Sequence, residues 1–95
     1  MNLGKAIKLC RTQRGLSQAK LAQAAEISIS YLSLLERGKR DPTMSTIEAL
    51  SNALNVPISI LVFLAANDEE MKDLGSELRE KLSYIALRLI ESSDD

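Results

Sequence analysis

SQAKLAQAAEISISYLSLLERGKR, residues 17–40, is the stretch on which the architecture of this chain turns. Ser17 stands just ahead of Gln18, Leu21, Ala22 and Ala25, so a hydroxyl is placed to accept from the first orphan N–H groups of a helix with helically spaced apolar positions. Ser28 repeats the signal. Behind it Leu32 and Leu35, three residues apart, turn inward with Ile27, while Ile29, Ser30, Ser33, Leu34 and Arg37 are left on the opposite face. Gly38 supplies a left-handed terminator, and Lys39 and Arg40 follow at once. The pattern predicts helices over about 18–25 and 28–37, hinged by about three residues.

Two short helices on a tight hinge form an angled pair in which the first braces and the second is presented outward. Hydroxyls on such a face can exchange hydrogen bonds with base edges or phosphates, whereas apolar groups can touch only the methyl of thymine. Cations directly behind the second helix, Arg37, Lys39 and Arg40, point to phosphate contact rather than to a merely solvated face. Gln18 falls in the first turn of the bracing helix, where partial positive charge and free N–H groups can hold a phosphate; the plainer alternative is a solvated first-turn residue. Tyr31 has two equal readings: a phenol donating to phosphate, or a half-buried packing group. The expected DNA-binding set is therefore Gln18, Ser28, Ile29, Ser30, Tyr31, Ser33, Leu34, Arg37, Lys39 and Arg40.

From about Leu3 to Leu64, roughly two-thirds of its length, the chain resembles the Cro/phage-repressor (Xre) family of bacterial helix-turn-helix regulators. The paired helices, the LERG turn at 35–38 and the phrase RDPTMSTIEALSNALNVPISIL at 40–61 carry the likeness. The resemblance implies an all-α, five-helix phage-repressor-like domain in which Ser28, Ile29, Ser30 and Leu34 face the major groove of double-stranded DNA. It also implies an inner ion pair, Arg11 with Glu36, that is structural and takes no part in DNA contact. Three positions depart from the family pattern. Relatives commonly have a polar or basic residue in place of Ile29 and often glutamine in place of Leu34, so this face is unusually apolar. Either it reads thymine methyls and local shape, or it is turned to a protein, or one of the two residues packs on a neighbouring helix. Glu26 stands where the hinge usually has glycine for a positive φ, which implies modest strain or another hinge geometry.

The whole chain fits this picture. With 95 residues and 45% hydrophobic composition, one domain with a modest core is expected. The aromatics are only Tyr31, Phe63 and Tyr84, so the interior must be built of leucine, isoleucine and alanine, and no window alternates as a strand would. Net charge is −1, which argues against indiscriminate nucleic-acid binding, yet the charge is unevenly spread. Residues 1–66 hold eight Lys/Arg against four Asp/Glu, and residues 67–95 hold four against nine, so +4 and −5 sum to −1. A positive head with an acidic tail draws the reading face toward phosphate and keeps the other end off the duplex.

Cys10 is the sole cysteine, on one helical face with Leu3 and Ile7; it reads as a small buried hydrophobe, with a redox sensor as the sharper alternative. There is no histidine, no phosphate-cradling glycine loop and no spaced set of metal ligands, so no credible nucleophile and base pair exists and neither cofactor nor metal is expected. With no apolar leader, and no apolar run long enough to span a bilayer, a cytoplasmic protein is expected.

Beyond the paired helices, a first helix is predicted over about Asn2 to Gln13, ended by Gly15. After the Asp41-Pro42 break, Thr43 or Ser45 caps a fourth helix carrying Ile47, Leu50 and Leu54, and Asn55 to Pro57 breaks it. The fifth, from Ile58, is too apolar to face inward all round, so something must cover it. The candidate cover is the extension 67–95. There Asn67 or Asp68 can cap a short segment with Met71 and Leu74 on one face and Gly75 at its end, and Ser76 opens a last helix. Leu78, Leu82, Ile85 and Leu89 recur there at spacings of four, three and four. The seam either folds back on its own domain or, as the favoured reading, meets its copy in a homodimer together with Ile60, Phe63 and Leu64. The domains are thus 1–66 for DNA binding and 67–95 for dimerisation, and the expected function is a transcriptional regulator, repressor or autoregulator, on a palindromic operator. The alternative is an antitoxin-like or anti-regulator module that docks a second protein through Ile29 and Leu34. No small-molecule ligand or membrane is implied.

Overall fold

The computed structural model describes residues 1–66, 80, 83–88 and 90. Five helices run in order, α1 (Leu3–Gln13), α2 (Gln18–Ala25), α3 (Ile29–Glu36), α4 (Met44–Leu54) and α5 (Ile58–Ala65), and residues 83–88 are also helical. The fold is all-α, as its low aromatic content and lack of alternation led one to expect.

Local chemistry sets the boundaries. Asn2, Ser17, Ser28 and Thr43 each stand one residue before a helix and accept from the N–H three residues on, Lys5, Lys20, Tyr31 and Thr46, at 3.0, 3.1, 3.0 and 3.2 Å. Thr43 rather than Ser45 is therefore the cap of α4, and Asn2 is a cap rather than the first helical residue. The first four helices stop by one device: an N–H beyond the end reaches back five residues, Leu16 to Arg11, Ile27 to Ala22, Lys39 to Leu34 and Val56 to Ser51. Each closure needs a left-handed residue, and these are Gly15, Glu26, Gly38 and Asn55. Glu26 takes φ 58° and ψ 41°, so the hinge keeps the geometry that glycine usually supplies and accepts the Cβ strain.

The core is aliphatic: Ile7, Leu21, Leu32, Leu35, Leu50, Leu54 and Leu61 are fully buried, with Cys10 among them at 0% exposure. α1 packs on α3 and α5, and α2 on α3 and α4. Where α1 crosses α3 the approach is so close that a Cβ on Gly4 would lie 2.0 Å from the Leu35 carbonyl oxygen. The start of α1 is tied to the end of α5 by Asn2 N–H donating to the Ala65 carbonyl at 2.7 Å.

The terminal helical segment docks on this same core. Ile90 is fully buried in the cluster, Ala86 is buried, and Leu87 packs against it. The Arg14 guanidinium donates to the Ile90 carbonyl at 3.1 Å, which draws that cation to the protein's own backbone. Leu87 and Ile90 are the described residues of this segment that meet the core; of the seam read from the sequence, Ile85 is 53% exposed, and Leu78, Leu82 and Leu89 lie outside the described residues. The segment anticipated between Asn67 and Gly75 also lies outside them. Ile60 and Leu64 are half-buried against the core, Phe63 is half-buried, and Val62 is 38% exposed. Among the described residues no single helix is long and apolar enough to cross a membrane.

Candidate nucleic-acid interface

α3 is anchored from behind and open in front. On its inner side Leu32 and Leu35 are buried, and Glu36 is held by a compact polar knot. Arg11 Nε donates to Glu36 Oε2 at 2.7 Å and Arg11 Nη2 to Oε1 at 3.0 Å, a forked contact that fixes the C-terminal end of α3 to α1. The remaining guanidinium edge donates to the Leu16 carbonyl at 2.9 Å, and Gln18 Nε2 donates to Glu36 Oε1 at 3.0 Å. Glu36 thereby joins α1, α2 and α3. The side chains of Arg11 and Glu36 are only 12% and 2% exposed, so water hardly screens the pair.

Gln18 was not legible as part of this knot. Its place in the first turn of α2 stands, but one of its two amide N–H groups is committed to Glu36, leaving the other for an outside acceptor. It lines, with Ile29, Ser30, Ser33, Leu34 and Arg37, a shallow concavity between α2 and the outward face of α3. Six of the ten residues expected at a DNA interface thus share one surface.

Ser28 and Ser30 are exposed, Ser33 and Leu34 are half-buried, and Ile29 exposes 50% of its surface at the first position of α3. Neither Ile29 nor Leu34 is among the residues packed on the core. Arg37 is exposed, with its Nε donating back to the Ser33 carbonyl at 3.3 Å. Lys39 and Arg40 are exposed in the turn that follows, and the Arg40 guanidinium lies 5.7 Å from the centroid of the Tyr31 ring. The Tyr31 ring itself is half-buried against the core. The residues that line this concavity all belong to α2, α3 and the cap that follows, and none comes from the described part of the terminal extension.

Cys10, the one thiol, is buried, and desolvation pushes its pKa up from 9.0 to about 11, which keeps it a neutral thiol. Among the described residues no three of cysteine, aspartate and glutamate gather closely enough to hold a metal ion.

Comparison with known proteins agrees with this geometry. A family model described as helix-turn-helix matches residues 7–61. The immunity repressor protein of Bacillus phage phi105 is 35% identical over 89 residues, which cover 84% of this chain and 62% of the phage protein. The HTH-type transcriptional regulator DdrOP3 of Deinococcus deserti is 36% identical over 62 residues, 65% of this chain and 48% of that protein. The HTH-type transcriptional regulator ImmR of Bacillus subtilis is 33% identical over 94 residues, 99% of this chain and 72% of ImmR. The chain therefore spans less than two-thirds of the length of the first two relatives, while its likeness to ImmR runs on through the extension.

Proposed function

Because the chain belongs to the Xre-type helix-turn-helix family, whose members are DNA-binding transcriptional regulators, we propose that it is a sequence-specific regulator, a repressor or autoregulator, that binds a palindromic operator as a homodimer. One observation carries the reading above all others: α3 presents an open face of Ser28, Ile29, Ser30 and Arg37 with Lys39 and Arg40 beside it, on a helix locked from behind by Glu36. Ser28, Ile29, Ser30, Ser33 and Leu34 face base edges, while Gln18, Tyr31, Arg37, Lys39 and Arg40 hold the phosphates. Repression follows the names of the relatives, an immunity repressor among them, and works by occupying DNA that RNA polymerase needs.

Dimerisation is supported by apolar groups that the protomer leaves outward among the described residues, Val62, Tyr84 and Ile85 at 38%, 62% and 53% exposure, and, in the sequence alone, by the four-three-four spacing of Leu78, Leu82, Ile85 and Leu89. One helix covers only a few base pairs, and two joined copies gain both affinity and reach. A twofold dimer sets its reading helices about 34 Å apart on inverted half-sites. Footprinting on DNA upstream of its own gene is expected to give two inverted protected half-sites at that separation; a single asymmetric footprint counts against the dimer. In gel shifts, log affinity should fall steeply with log salt, and Arg37→Ala should reduce the slope by about 1. Salt-insensitive binding contradicts the DNA reading.

The exposed Ile29 favours a second reading, an antitoxin-like module that docks another protein on the same face. A stoichiometric partner that copurifies, and is lost in Leu34→Glu while DNA binding survives, supports it.

A further inference from the structure

We infer that Ile29 determines specificity by reading the 5-methyl group of a thymine in the major groove. The inference rests on the DNA-binding reading above and names what that face selects.

Ile29 is the first residue of α3, the turn that approaches base edges most closely when a helix enters the major groove by its N-terminus. It is half exposed and takes no part in the core, so the fold gives no account of an aliphatic side chain there. Three of the polar groups near it already have one partner within the protein. Ser28 Oγ accepts from Tyr31 N–H at 3.0 Å as the helix cap, Gln18 Nε2 is held by Glu36 at 3.0 Å, and Arg37 Nε is folded back on the Ser33 carbonyl at 3.3 Å. The concavity beside Ile29 is lined by Gln18, Ser30, Ser33 and Arg37 together with Ile29 and Leu34, which supply its two wholly aliphatic side chains.

Thymine alone among the bases offers carbon to such a surface. Every base presents hydrogen-bonding groups there, O4 in thymine, but only thymine adds a methyl group that an aliphatic side chain can cover without stripping a donor or acceptor of water. Charge complementarity decides between a nucleic acid and a protein as the occupant. Arg37, Lys39 and Arg40 are all exposed near the apolar patch, against the exposed carboxylates Glu26 and Asp41 on the same stretch of chain, while Glu36 is neutralised by Arg11, a balance that attracts a polyanion.

The test begins with duplexes selected by the protein from a random pool. Each thymine of the selected site is then replaced singly by deoxyuridine, which removes the methyl and keeps the hydrogen-bonding edge, and affinity is read by fluorescence anisotropy at fixed salt. One position per half-site should lose about fourfold in affinity, the worth of one buried carbon. Ile29→Ala should show no loss at that position, and Ile29→Val should retain it; both changes lie outside the core and leave the fold intact. The inference is overturned if the wild-type protein tolerates deoxyuridine at every position, or if Ile29→Ala remains as sensitive as wild type. It is likewise overturned if Ile29→Ala binds DNA unchanged but sheds a protein partner. Failure to enrich any duplex defeats the DNA-binding reading itself, an outcome separable from tolerance of deoxyuridine by a protein that binds.

Discussion

Glu36→Ala removes a carboxylate on which α1, α2 and α3 converge. It deletes the acceptors for Arg11 Nε at 2.7 Å, Arg11 Nη2 at 3.0 Å and Gln18 Nε2 at 3.0 Å, and leaves a guanidinium only 12% exposed with the Leu16 carbonyl as its remaining contact. Breaking one side of a buried ion pair costs about 3 to 5 kcal/mol, because the surviving charge is stranded. Arg11 keeps a carbonyl and some water, so the lower end, about 3 kcal/mol, is expected here. A domain of this size has a total stability of about 5 to 14 kcal/mol, so the loss is a fifth of it or more. In urea, followed by far-ultraviolet circular dichroism, a slope of about 1 kcal/mol per molar converts that loss to a midpoint roughly 3 M lower. The double change Arg11→Met with Glu36→Leu strands no charge and should recover at least about half of the loss. A Glu36→Ala midpoint within about 0.5 M of wild type, or a double variant as unstable as the sum of the singles, would refute the reasoning.

Other substitutions test the remaining joints of the fold. Gly4→Ala drives a Cβ to 2.0 Å from the Leu35 carbonyl oxygen, where backbone must move, and calorimetry should show Tm lower by about 8 °C or more; an unchanged Tm means α1 and α3 are not so close. Glu26→Gly relieves a side chain held at φ 58° and should raise stability by about 0.5 to 1 kcal/mol in urea unfolding, whereas a loss would place the hinge in another conformation. Cys10 holds its proton in the folded state up to about pH 11 but releases it near 9.0 when unfolded, so its contribution is complete below pH 9.0 and falls away as pH rises toward 11. Urea unfolding across that window should therefore be flatter with pH in Cys10→Ala than in wild type, and equal slopes contradict the burial of the thiol.

What the sequence made legible was local. Ser17, Ser28, Gly15 and Gly38 mark helix ends by chemistry acting over three or four residues, and each acts as read. Leu32 and Leu35 declared the inner side of α3 by their spacing, and the outer side followed by subtraction. Tertiary choices were harder to see. Gln18 is an ordinary first-turn residue until α3 brings Glu36 to it, and Gly4 is an unremarked helical glycine until the Leu35 carbonyl arrives. The terminal helix is the clearest case. Periodicity shows that apolar side chains share a face but not which surface that face meets, and Leu87 and Ile90, which meet the core, were not singled out by it. Arg14 similarly reads as one more cation ahead of the paired helices, and its bond to the Ile90 carbonyl is a tertiary contact that local pattern does not announce. Glu26 teaches the reverse lesson, since a required backbone conformation was kept although its usual residue was not.

The central claim is that the outward face of α3 is what meets DNA, and amide chemical-shift mapping by NMR on addition of a selected duplex tests it most directly. The expected result is perturbation concentrated at Gln18, at residues 28–34 and at Arg37, Lys39 and Arg40, with α4 and α5 little changed. Perturbations gathered on α4 and α5, with α3 silent at saturating duplex, would contradict the account.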